Sequence, residues 1–162
     1  MKKLASIFLI FIITIIALTF DSCKKYEDGP LISFRSKKAR VVGLWNFRQV
    51  IINGQDRTSD VQYDNIGFDK NDGAFYSSTN SKNGDVATLY GIWNFADNKD
   101  SLDISLSADV KDTITGKIST LNVYYYFKIK ELKYSEIKLS GTSRTIYPGH
   151  NTKDNLEWTI HQ

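Results

Sequence analysis

From Gly43 onward apolar and polar positions alternate one for one, the two-residue period of strands that bury a single face. The clearest run is residues 120–132. Leu121, Val123, Tyr125, Phe127 and Ile129 fall on one face, and Asn122, Tyr124, Tyr126, Lys128 and Lys130 on the other. This predicts one dry wall and one wet or amphipathic wall. Residues 86–96 read the same way, with Ala87, Leu89, Gly91, Trp93 and Phe95 together. Shorter alternations occupy residues 101–107 and 136–141 and the last strand, where Leu156, Trp158 and Ile160 oppose Glu157, Thr159 and His161. In the first strand Trp45, Phe47, Gln49 and Ile51 oppose Leu44, Asn46, Arg48 and Val50. Residues 65–69 and 74–79 pair across Lys70-Asn71-Asp72-Gly73.

The connections are short. Asn53-Gly54 is a strong hairpin-turn signal. Residues 80–85 and the stretch holding Tyr147-Pro148-Gly149 read as polar loops, whereas residues 55–63 and 108–119 show no clear period. Ahead of the first strand, Ser36 is placed to cap one or two helical turns that Gly43 stops. The pattern predicts roughly eight antiparallel strands with no amphipathic helix to cover them. Such strands must close or stack to remove their edges. The expected fold is all-β, an up-and-down eight-stranded barrel, with a β-sandwich as the alternative. A barrel of about eight strands is just wide enough to be filled by its side chains or to hold one small ligand.

The N-terminal stretch departs from this pattern. Lys2 and Lys3 precede a run from Leu4 to Phe20 that is apolar apart from Ser6, Thr14 and Thr19. Then come Asp21, Ser22 and Cys23, the single cysteine of the chain. A lone cysteine behind an apolar run, with a small residue before it, is the chemistry of a bacterial lipobox: the thiol takes a diacylglyceryl group and the small residue admits the peptidase. The competing reading is an uncleaved anchor. The apolar run spans about 26 Å as a helix, somewhat short of a ~30 Å hydrocarbon core. The division that follows is a signal peptide over residues 1–22, a lipidated Cys23 with a tether over residues 23–35, and a barrel domain over residues 36–162. Gly29-Pro30 and the mixed charges of Lys24, Lys25, Glu27 and Asp28 suit a tether. More than one acyl chain gives stable anchoring, where one gives only marginal binding.

Gly43-Leu44-Trp45-Asn46-Phe47 returns as Gly91-Ile92-Trp93-Asn94-Phe95. The flanking residues do not align, so the two copies are similar strand chemistry and not a duplication. A glycine beside a large ring on one face lets that ring, or a side chain of the next strand, lie over bare backbone. Gly43-x-Trp45 opens the first strand, where the lipocalin family carries its Gly-x-Trp. With the lipidation cysteine, the charged tether, Asn53-Gly54, Phe68 with Gly73-Ala74-Phe75, and Leu132 and Leu139 ending late strands, the chain resembles the lipocalin-like lipoproteins of Gram-negative bacteria. That resemblance implies a lipocalin-like barrel tethered by palmitate-type acyl chains to the outer membrane, on its periplasmic or its surface face. It implies a binding protein for a small apolar ligand, with no cofactor. The alternative is a structural or protein-interaction module of the envelope whose barrel is filled by its own side chains. The 3 Trp, 9 Tyr and 9 Phe supply rings enough for that filling.

Candidate chemistry changes this picture little. Asp69-Lys70-Asn71-Asp72-Gly73 lacks calcium-loop spacing and reads as a hairpin turn. His150 and His161, the two histidines, have no ligand-spaced partner and are expected to be exposed, so no metal site is assigned. No nucleophile elbow, phosphate loop or zincin motif is present, no acid/base pair stands out, and no catalytic residue is assigned: the chain is expected not to be an enzyme. The net charge is +3, of which Lys2, Lys3 and Asp21 contribute a single positive charge, so nucleic acid is not an expected partner. Tyr124 and Tyr126 interleaved with Lys128 and Lys130 suit a sugar or an anionic headgroup, and more ordinarily form a solvent face. Asp100-Ser101-Leu102 and Asp112-Thr113-Ile114 resemble short O-glycosylation sites.

Overall fold

The computed structural model describes residues 36–62, 64–79, 86–111 and 116–162. The expected signal peptide, Cys23, the tether, the loop at residues 80–85 and the motif at residues 112–114 lie outside them. Helix α1 (Lys37–Val41) leads into nine strands: β1 (Gly43–Ile52), β2 (Gln55–Asp56), β3 (Asn65–Phe68), β4 (Gly73–Thr79), β5 (Val86–Ala96), β6 (Ser101–Lys111), β7 (Ile118–Leu132), β8 (Glu136–Tyr147) and β9 (His150–His161). Eight of them run β1-β3-β4-β5-β6-β7-β8-β9 and close through a β1–β9 ladder. Every pairing is antiparallel. This is the expected up-and-down barrel. β2 lies outside the ring, folded back on the end of β1 by Asn53-Gly54, whose φ values of +51° and +80° are those of a tight hairpin turn.

One end of the barrel is plugged by α1. The Ser36 hydroxyl accepts from the Ala39 amide at 3.1 Å, capping the helix as its position suggested. Val41 is fully buried and its carbonyl accepts from Trp45 Nε1 at 2.8 Å. Three cations fasten the plug: Lys37 to Asp100 at 3.1 Å, Lys38 to Asp72 at 2.6 Å, and Arg40 to the Leu132 carbonyl at 2.8 Å. Trp93 Nε1 donates to the Asp69 carbonyl at 3.1 Å. Both repeated tryptophans therefore satisfy the N–H that burial would otherwise leave unpaired.

Gly43 works as expected, its bare backbone covered by the side chain of Gln162 just past the paired strand β9, whereas Gly91 of the second copy does different work, which Gly141 shares. A Cβ on Gly91 would stand 1.8 Å from the Ser105 carbonyl oxygen, and one on Gly141 would stand 1.9 Å from that of Tyr126. At both places neighbouring backbone, and not a ring, comes close, as it must where strands bend sharply to close a narrow barrel. Gly43 has φ +151°, and a Cβ there would meet the side chain of Gln162.

Two bulges overturn the simple alternation. In β1 the register with β9 shifts between Phe47 and Gln49. Gln49, expected inward, is exposed, and Val50, expected outward, is buried. One extra residue moves every later side chain to the other face. In β7 the shift lies between Ile129 and Glu131 and brings Leu132 inward opposite Ile137. β8 and β9 also run past their expected limits. They continue as a paired hairpin up to Tyr147 opposite His150, across the segment expected to be a polar loop.

Candidate functional site

The interior is occupied by rings. Trp158 stands 5.0 Å from Phe47, 4.9 Å from Tyr125 and 4.5 Å from Phe127, centroid to centroid. Tyr125 stacks on Phe127 at 5.7 Å, and Trp93 contacts Phe68 and Phe95 at 5.5 and 5.4 Å. Ile66, Leu102, Ile104, Leu106, Leu139 and Ile160 fill the gaps between them. These are the apolar faces expected to line a ligand cavity, and they pack on one another. Toward the end opposite α1 the packing becomes polar. The Tyr76 hydroxyl donates to Asp64, a carboxylate only 5% exposed. Burial, reinforced by the Asp64 charge, pushes the Tyr76 and Tyr125 phenols well above their ordinary range, which keeps both protonated.

A groove of about 670 Å³ lies on the other side of the wall, across the outer face of β5 to β9. Its position follows from the register. Ile92 is opposite Ser105, Ser105 opposite Tyr124, Tyr124 opposite Arg144, and Arg144 opposite Lys153, a row across five strands. Beside it run Asn94, Asp103, Tyr126 and Thr142. Ile92, Tyr124 and Tyr126 are 57%, 43% and 46% exposed, large values for such side chains in mid-strand.

Tyr126 is held in place. Its hydroxyl donates to Asp97, which also accepts from Ser101 Oγ at 2.9 Å. These two hydrogen bonds hold the Asp97 carboxyl below the usual carboxylate range. Asp97, Asn98 and Lys99 all have positive φ, at +47°, +55° and +70°, a left-handed stretch that costs about 1–2 kcal/mol per residue. Backbone strain of this kind tends to gather where a site must be shaped. Ser101, expected as a glycosylation acceptor, is 3% exposed and engaged with Asp97, so its hydroxyl is not presented to solvent.

The face expected to carry Tyr124, Tyr126, Lys128 and Lys130 is split. The two tyrosines share the groove, Lys128 is exposed beyond it, and the β7 bulge places Lys130 beside Lys138 and Glu157 in a separate depression of about 480 Å³. Next to the bulge, Glu131 is fully shielded from solvent beneath Lys133 and Lys138, the latter at 2.6 Å. Burial alone raises its pKa, but the hydrogen bonds and charges of the two lysines outweigh that and hold the carboxyl below its ordinary value. His161, expected to be exposed, is half-buried with Nδ1 shut off from solvent. Arg144 and Lys153 were not anticipated: they sit in segments read as loop, and only the continued β8–β9 ladder places them side by side.

No protein-family model matches the chain, and no curated protein matches it. Among the described residues no group of three or more His, Cys, Asp or Glu is arranged to hold a metal ion. Among them, too, no helix is long and apolar enough to cross a membrane.

Proposed function

We propose that this chain is a lipoprotein of the Gram-negative outer membrane, anchored through acylated Cys23, whose barrel is a non-catalytic recognition module that works through its outer face. The observation that carries this reading is the contrast across one wall: rings pack the inside, while exposed rings line a groove outside. The lipobox-like order of the first residues supports the anchor. The interior packing favours a filled barrel over an internal apolar ligand, because pockets for such ligands occupy roughly 300–1,000 Å³ and the described interior gives that space to Trp158, Phe127, Tyr125 and their neighbours.

Two measurements test the two halves of the reading. Metabolic labelling with radioactive palmitate marks the wild-type chain and not Cys23→Ala; equal labelling of both, or of neither, removes the anchor. Native mass spectrometry of the gently extracted protein shows no lipid-like adduct. An adduct that leaves on denaturation returns the function to the barrel interior.

A further inference from the structure

The outer groove carries a charge pattern that folding alone does not explain. Arg144 and Lys153 are directly opposite each other on β8 and β9, and like charges so placed destabilise a strand pair. Arg144 Nε donates to the Asn151 side chain at 3.1 Å, a neutral partner. Neither cation makes an ion pair with a carboxylate among the described residues. A guanidinium and an ammonium left side by side in a concave site form an anion receptor, with the planar fork of Arg suited to a carboxylate or sulfate.

The rest of the groove is not built for a bare anion. Tyr124 and Tyr126 present exposed rings next to the cations, and Asn94, Asp103, Ser105 and Thr142 supply amide, carboxylate and hydroxyl groups around them. Rings offer flat apolar area at small entropy cost, and the polar groups suit a ligand covered in hydroxyls. Tyr126 is already fixed by Asp97, so little ordering is left to be lost on binding. A membrane surface calls for apolar side chains that protrude from an edge, whereas these line a depression in the middle of a sheet face.

We infer that the groove formed by Tyr124, Tyr126, Arg144 and Lys153 on the outer face of β5 to β9 binds an acidic carbohydrate, with an acidic group between Arg144 and Lys153 and sugar rings against the tyrosines. A groove of about 670 Å³ accommodates a short oligosaccharide segment and not a folded domain. The inference rests on the outer-face reading above and names its ligand class.

The test uses the full-length chain, extracted in mild detergent and immobilised. Tri-galacturonate, a sulfated chondroitin hexasaccharide and sialyllactose are titrated over it, each beside an uncharged oligosaccharide of equal length. At least one acidic probe is expected to bind ten-fold or more tightly than its neutral counterpart. Arg144→Ala and Lys153→Ala each weaken that binding ten-fold or more, and raised salt weakens it further. Lys70→Ala, which removes the same charge from an exposed turn outside the groove, leaves it unchanged. All three sites are on the surface, and circular dichroism verifies that each variant is folded. Failure of all three acidic probes, or binding indifferent to Arg144 and Lys153, overturns the inference. Arginine-dependent binding to phosphatidylglycerol vesicles in place of the oligosaccharides overturns it too, and leaves the outer-face reading standing. An interior adduct in native mass spectrometry is what defeats that underlying reading.

Discussion

Along β7 four consecutive rings alternate across the barrel wall: Tyr125 and Phe127 face in, Tyr124 and Tyr126 face out. The chemistry of the residues is nearly the same on both sides, and their surroundings are not. Inside, each ring meets other rings at 4.5–5.7 Å. Outside, Tyr126 is positioned by its hydrogen bond to Asp97 and both rings stay near half exposed. The inner rings therefore contribute to stability, and on the proposed reading the outer rings serve recognition. Changes on the two sides should separate cleanly into effects on folding and effects on binding.

The widest separation comes from Trp158→Ala. It removes the ring that Phe47, Tyr125 and Phe127 all pack against, and the cavity left behind costs about 3–5 kcal/mol. Urea denaturation should show the unfolding free energy fall by that amount, through a lower midpoint at unchanged slope; a loss under ~1 kcal/mol would mean that the interior is looser than the packing implies. Next is Gly91→Ala. The added methyl meets backbone at 1.8 Å, which cannot swing aside as a side chain would, so a loss of about 1–3 kcal/mol is expected. Gly67→Ala makes the useful contrast: its methyl meets the ring of the partly exposed Phe75 and not backbone, and the loss should be smaller.

Glu131 sharpens the comparison because it belongs to the outer face and is nonetheless buried. Its folded pKa is depressed, so its stabilising contribution is present above the ordinary value of 4.5 and is lost as pH falls through the folded value. Glu131→Gln should cost about 1 kcal/mol at neutral pH, since both lysines are half exposed and screened. The difference from wild type should hold above pH 4.5 and shrink as pH falls below it. A difference that stays constant with pH would assign the cost to packing. The smallest effect is expected for Tyr124→Ala, within about 0.5 kcal/mol of wild type in thermal unfolding. A loss comparable with that of Trp158→Ala would erase the distinction between the two faces.

Much of this arrangement was legible before folding. The limits of β5, residues 86–96, and the inward set Leu121, Val123, Tyr125, Phe127 and Ile129 of β7 follow directly from the two-residue period, because one wet face imposes it. Asn53-Gly54 turned where its φ preferences allow. The bulges left no such mark. Arg48 and Gln49 differ from neighbouring outward residues in nothing but their place opposite β9, so the inward turn of Val50 depends on a partner strand more than 100 residues away. The ends of β8 and β9 were hidden for a related reason. Ser143, Thr145, Thr152 and Asp154 share the inner side of the polar hairpin with no apolar alternation, and their strand state comes from the ladders alone. The groove was half visible: Tyr124 and Tyr126 announce a shared outer face, while Arg144 and Lys153 join them only through register.

Sequence by itself determined the eight strands of the ring, the faces of the strands without bulges, the turn chemistry and the aromatic load, since each is a local preference written within a few residues. The tertiary structure decided where the extra residues of the bulges fall, that the inner rings pack on one another, and that two cations from distant segments stand beside two tyrosines. Those outcomes depend on closure: a sheet of eight strands must bend until its first and last meet, and the shear and curvature of that closure are properties of the whole ring, not of any one strand.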